Sequence, residues 1–135
     1  MKVTIAQRTH FNALHTTQNP NWDVQTNDAI FGKQEKPAFR GHNYNITARI
    51  TGELDEKTGE VFPLDRLKKL LKEKVENRFD HKNLYLDLED FKDTVPTVGR
   101  MAVRIWEIMR AEIPEELSLH ITVYATDEQF AEFGD

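Results

Sequence analysis

The feature that most constrains the fold is a strict alternation over residues 43–51. Tyr44, Ile46, Ala48 and Ile50 fall on one side, and Asn43, Asn45, Thr47, Arg49 and Thr51 on the other. Period two over this length is a strand with one dry face and one wet or interface face, as antiparallel sheets have. Val3, Ile5, Gln7, Thr9, Phe11 and Ala13 repeat the pattern less cleanly and predict a first strand. Leu117, Leu119, Ile121 and Val123, alternating with Ser118, His120, Thr122 and Tyr124, predict a third. A short final strand is expected near 129–133.

Between these strands the period changes. Leu64, Leu67, Leu70, Leu71, Val75 and Phe79 recur at helical spacing, with Lys68, Lys69, Lys72, Glu73 and Glu76 outside them. A second helix starts at Thr97, a suitable N-cap, runs through Met101, Ala102, Ile105, Ile108 and Met109, and is over by Pro114. Leu54 to Gly59 supplies a turn in which Gly59 is free to take positive φ. Residues 16–41, rich in Asn, Gln, Pro, Asp and Lys, are expected to form a long functional loop. The sum is an α+β chain: a four-stranded antiparallel sheet with two helices on one face, in a single domain over 1–135. The polar second face and the open sheet edges favour pairing with other copies.

Composition narrows the functional classes. The chain has no Cys, which removes disulfides, thiolate metal sites and Cys nucleophiles together. A formal charge of −5 disfavours nucleic acid as a partner. No apolar run approaches a membrane span and no signal-peptide profile precedes the first strand, so no membrane partner and a cytoplasmic location are expected.

Four polar strings remain. They are Phe11-Asn12-Ala13-Leu14-His15, Phe31-Gly32-Lys33-Gln34, Arg40-Gly41-His42-Asn43-Tyr44 and Asp80-His81-Lys82-Asn83-Leu84. In this order they resemble the 6-pyruvoyltetrahydropterin synthase / 6-carboxytetrahydropterin synthase family over nearly the whole chain. The resemblance implies the tunnelling fold, in which subunits join edge to edge into a barrel, and hence a homotrimer or homohexamer. It also implies a zinc-dependent lyase chemistry on a pterin, with His15 and His42 as metal ligands and Asp80 and His81 as a proton-relay pair.

The same resemblance locates departures. Gln34 stands where the family usually has its nucleophilic Cys, although some branches work with another residue there. An amide neither loses a proton at neutral pH nor attacks a carbonyl. Arg40 replaces the third zinc-binding His, and a guanidinium has no lone pair to donate. Gly99 and Arg100 replace a Glu-Asn pair, and Ala125 replaces the Glu that anchors the pterin ring through charge-assisted bonds.

From the residues alone, His15 and His42 read as strand-end imidazoles bound to backbone or water, as an incomplete metal site, or as an anion site with Arg40. Asp80 to Leu84 read equally as a tight turn in which Asp80 accepts backbone N–H groups and Leu84 packs inward. Three functions follow. The first is a self-assembling tunnelling-fold protein without synthase activity and without a cofactor, either a diverged paralogue or an engineered scaffold. The second is a 6-carboxytetrahydropterin synthase-type lyase acting on dihydroneopterin triphosphate with an altered zinc site. The third is a binder or enzyme for another ligand, with Arg40 and Arg100 turning the pocket toward an anion.

Overall fold

The computed structural model describes residues 1–16, 21–31, 39–84, 87–92 and 94–135. Four strands form one sheet in the order β1 (Lys2–Thr16), β2 (Phe39–Glu53), β3 (Ser118–Tyr124), β4 (Phe130–Gly134). Every neighbouring pair is antiparallel. β1 and β2 pair along their full 15 residues, from Lys2 opposite Glu53 to Thr16 opposite Phe39, with no bulge. The unbroken register keeps one parity of each strand on each face throughout.

The dry face carries Phe11, Ala13, Tyr44, Ile46, Ala48, Ile50, Leu119, Ile121 and Val123, all buried. Helix α2 (Leu64–Leu71), a π-helical turn (Lys72–Glu76) and a last turn α3 (Asn77–Phe79) cover it beside β1. Helix α4 (Val98–Arg110) covers it beside β3 and β4. Leu67, Leu71, Val75 and Phe79 are fully buried in this core. Their spacing of four overshoots the 3.6-residue turn by about 40° at each step. The wider π turn at Lys72–Glu76 takes up part of that drift, so the apolar stripe stays on the sheet.

The other sheet face is layered with its own polar side chains. Arg49 donates to the Thr122 hydroxyl at 2.9 Å, Thr122 donates to Glu132 at 3.3 Å, and the Thr4 and Thr51 hydroxyls meet at 2.6 Å. Thr47 and Thr122 are buried within this polar face. Thr97 caps α4 as expected, accepting from the Arg100 N–H at 3.2 Å. Gly59 takes φ 72° in the β2–α2 turn.

One expectation is corrected. The segment 16–41 is not loop throughout: Val24–Phe31 form helix α1, and β1 and β2 reach Thr16 and Phe39. Asp23 starts α1 by accepting the Thr26 N–H at 2.7 Å, and the Asn27 amide donates to the Asp23 carbonyl at 3.0 Å. Local side-chain bonds, not an apolar stripe, set this helix.

Candidate functional site

The long helical run ends at Phe79, where Asp80 turns the chain extended (φ −63°, ψ 133°) and His81 takes φ 58°. A left-handed non-glycine residue costs about 1–2 kcal/mol, and neighbouring bonds hold this one. The chain from Asp80 to Leu84 then runs along the outer edge of β1. The Asn12 N–H donates to Asp80 Oδ1 at 3.0 Å, and the His81 N–H donates to the Asn12 carbonyl at 2.6 Å. Leu14 donates to the Lys82 carbonyl at 3.0 Å and accepts from the Leu84 N–H at 2.8 Å. Leu84 and Phe79 are fully buried at either end of the segment. Asp80 is therefore both the structural residue of a tight turn and an acceptor of backbone N–H groups.

Its second oxygen is also used. Asp80 Oδ2 lies 2.9 Å from His81 Nδ1. The Asn12 N–H is the main cause that holds the Asp80 carboxyl below the usual carboxylate range; desolvation opposes it, and His81 adds to the lowering. An ionised Asp80 fixes the imidazole with Nδ1–H donating, so Nε2 is the nitrogen left to exchange a proton. The His81 side chain is 82% exposed, so that nitrogen is open to a ligand or to solvent. This is the geometry of an oriented general acid–base.

The strand register brings the expected metal positions to the same end of the sheet. Ala13 lies opposite His42, and His15 opposite Arg40. The His42 ring is half-buried against Tyr44, with centroids 5.5 Å apart. The side chains of His15 and Arg40, and all of Gln34, lie outside the described residues. The donor set does not match the three imidazoles that the resemblance implies: His15 and His42 can ligate and the guanidinium of Arg40 cannot. Zinc therefore does not fit these three positions as it fits three His.

Sequence reasoning gave no role to Asn12 and Asn43, yet they join the two halves. Asn12 holds Asp80 through its N–H, and its side-chain amide donates to Asn43 Oδ1 at 2.8 Å, one residue from His42. Their place inside two of the polar strings was the available signal.

The other departures lie elsewhere. Gly99 and Arg100, in the first turn of α4, line a cavity with Arg78, Asp90 and Arg104 that includes none of His42, Asp80 or His81. Ala125 follows β3, packs against the core and donates its N–H to the Gln129 carbonyl at 2.9 Å.

Comparison with known proteins agrees with this architecture. The family model for 6-pyruvoyl tetrahydropterin synthase matches residues 4–135. The 6-pyruvoyl tetrahydrobiopterin synthase of Homo sapiens is 34% identical over 93% of this chain and 87% of its own length. That of Drosophila melanogaster is 32% identical over 90% and 73%. The solved 6-pyruvoyl tetrahydropterin synthase of Caenorhabditis elegans superposes with a TM-score of 0.90 at 28% identity, covering 100% of this chain and 96% of that one. The Plasmodium vivax structure shares the fold at 18% identity, with a TM-score of 0.73 and coverage of 100% and 98%. With the family model matching nearly the whole chain and the sheet and helices superposing on a solved member, the chain belongs to the 6-pyruvoyl tetrahydropterin synthase family and has its tunnelling fold.

Proposed function

We propose that this chain is a self-assembling, single-domain, cytoplasmic tunnelling-fold protein that does not carry out the synthase step named for its relatives. The observation that carries this reading is chemical. The chain has no Cys, and the family resemblance implies that Gln34, Arg40 and Ala125 replace the nucleophile, the third metal ligand and the ring anchor. Losing a charged partner costs about 1.5–3 kcal/mol per hydrogen bond, so the two bonds expected from a ring-anchoring Glu account for orders of magnitude in affinity. Self-assembly is supported by a sheet whose first and last strands, β1 and β4, each have one edge unpaired over most of its length among the described residues.

A second reading has its own support. The Asp80–His81 pair is formed at 2.9 Å and exposed, and relatives with up to 35% identity are named synthases. A 6-carboxytetrahydropterin synthase-type lyase would use His81 Nε2 to move protons, oriented by Asp80. Two measurements on the purified protein separate the readings. Incubation with dihydroneopterin triphosphate, with and without added zinc, is expected to leave the substrate unchanged by fluorescence-detected chromatography. Metal analysis is expected to give well below one zinc per chain. Turnover that is lost in His81→Ala would overturn the first reading and establish the second.

A further inference from the structure

We propose that the cavity between α3, the 3-10 turn Glu89–Phe91 and α4 binds the phosphate group of a small phosphorylated metabolite. The open cavity has a volume of about 470 Å³, and three arginines line it: Arg78 from α3, Arg100 and Arg104 from α4. Three arginines on one concavity repel one another unless anions intervene. Asp90, whose side chain is 1% exposed, supplies one such anion. It accepts Arg104 Nε at 2.7 Å and Arg78 through Nε and Nη2 at 3.0 Å each.

Asp90 does not saturate them. Among the described residues, the bonds to Asp90 use Nε and Nη2 of Arg78, leaving Nη1. Arg104 uses Nε for Asp90 and Nη1 for Glu107, at 3.3 Å, leaving Nη2. Arg100 is exposed and forms no hydrogen bond or ion pair through its guanidinium among the described residues. Of the remaining carboxylates in the lining, Glu107 is the partner of Arg104, and Glu89 is 88% exposed and 3.9 Å from Lys92. The free donors are thus all guanidinium N–H groups, the fork geometry that suits phosphate oxygens.

The walls suit a small ester more than a polymer. Phe91 and Val103 add apolar surface beside the arginines, and Gly99 adds no side chain to the rim. A chain of net charge −5 is a poor partner for a nucleic-acid backbone. His42, Asp80 and His81 do not line the cavity, so phosphate binding here does not require the Asp80–His81 proton relay, although Gly99 and Arg100 hold the positions of the Glu-Asn pair that the resemblance implies.

The test is a calorimetric titration at constant ionic strength with two probes, inorganic phosphate and ribose 5-phosphate, against the full chain and its Arg100→Gln variant. Arg100 is exposed, so the variant keeps the fold, and circular dichroism verifies that. Saturable binding is expected, weakened at least about tenfold in R100Q, the loss of one charge-assisted contact. Tighter binding of ribose 5-phosphate identifies the esterified source, and equal affinities identify the free anion. No saturable binding of either probe, or the same affinity in R100Q, overturns the proposal.

Discussion

Asp90 shows how much one residue can hold in a chain of this size. Its carboxylate is buried, and its partners lie 12 and 14 residues away on different helical segments. Desolvation alone would raise its pKa, but the hydrogen bonds from Arg78 and Arg104 outweigh that and hold it below the usual range. The same bond raises the Arg104 guanidinium further. Asp90→Asn removes the anion and leaves two cations facing each other. Breaking a fully buried pair costs about 3–5 kcal/mol, and the partial exposure of both arginines reduces the expected loss to about 2 kcal/mol, measured by urea denaturation at pH 7. The pH dependence has a fixed sign. A carboxylate with a depressed folded pKa stabilises the fold fully above its unfolded value of about 3.9 and loses that contribution as pH falls through the folded value. The wild type is therefore expected to lose stability more steeply than D90N as pH falls below about 4. Parallel acid limbs would show that Asp90 does not staple the helices.

At the scale of elements, what was legible in the sequence is what repeats. The alternation of Tyr44 to Ile50 and of Leu119 to Val123 appears unchanged as two central strands, because each position's environment follows from the pleat. Helix α1 was hidden because Gln25, Thr26, Asn27 and Asp28 carry no apolar stripe, and its start rests on one cap at Asp23. The π turn was hidden too, since a spacing of four is also what an ordinary helix tolerates. In the site, the Asp80–His81 pair was legible as a string, but its dependence on Asn12 was not: that contact joins residues 68 apart. Arg78, Asp90 and Arg104 carried no motif at all. Gly99 offers the cleanest test of an element. It lies in the exposed first turn of α4, and an added Cβ would meet only the Thr97 hydroxyl, at 3.8 Å. Gly99→Ala is therefore expected to stabilise the chain by about 0.5–1 kcal/mol through helix propensity and reduced unfolded-state entropy. The readout is a higher urea midpoint at unchanged m-value.

For the whole molecule, the decisive property is how the sheet ends. Strand polarity alternates from β1 to β4, so β4 of one copy set beside β1 of another continues an antiparallel ladder without any change of direction. Near its end β1 is already occupied: Asn12 and Leu14 direct their N–H and C=O groups outward to the Asp80–Leu84 segment. Since the β1–β2 register has no bulge, the same parity fixes the outward groups along the rest of the strand. Ala6, Arg8 and His10 therefore point their backbone N–H groups away from β2. Ala6→Pro removes one outward donor and leaves the β1–β2 ladder bonds in place, because proline is tolerated where its missing N–H faces away from the sheet. If copies join edge to edge, the wild type is expected to sediment as a trimer or hexamer and A6P as smaller species with the same far-ultraviolet circular dichroism. A monomeric wild type at micromolar concentration would refute edge-to-edge assembly. An A6P variant that keeps the full mass would place the contact elsewhere than on this edge.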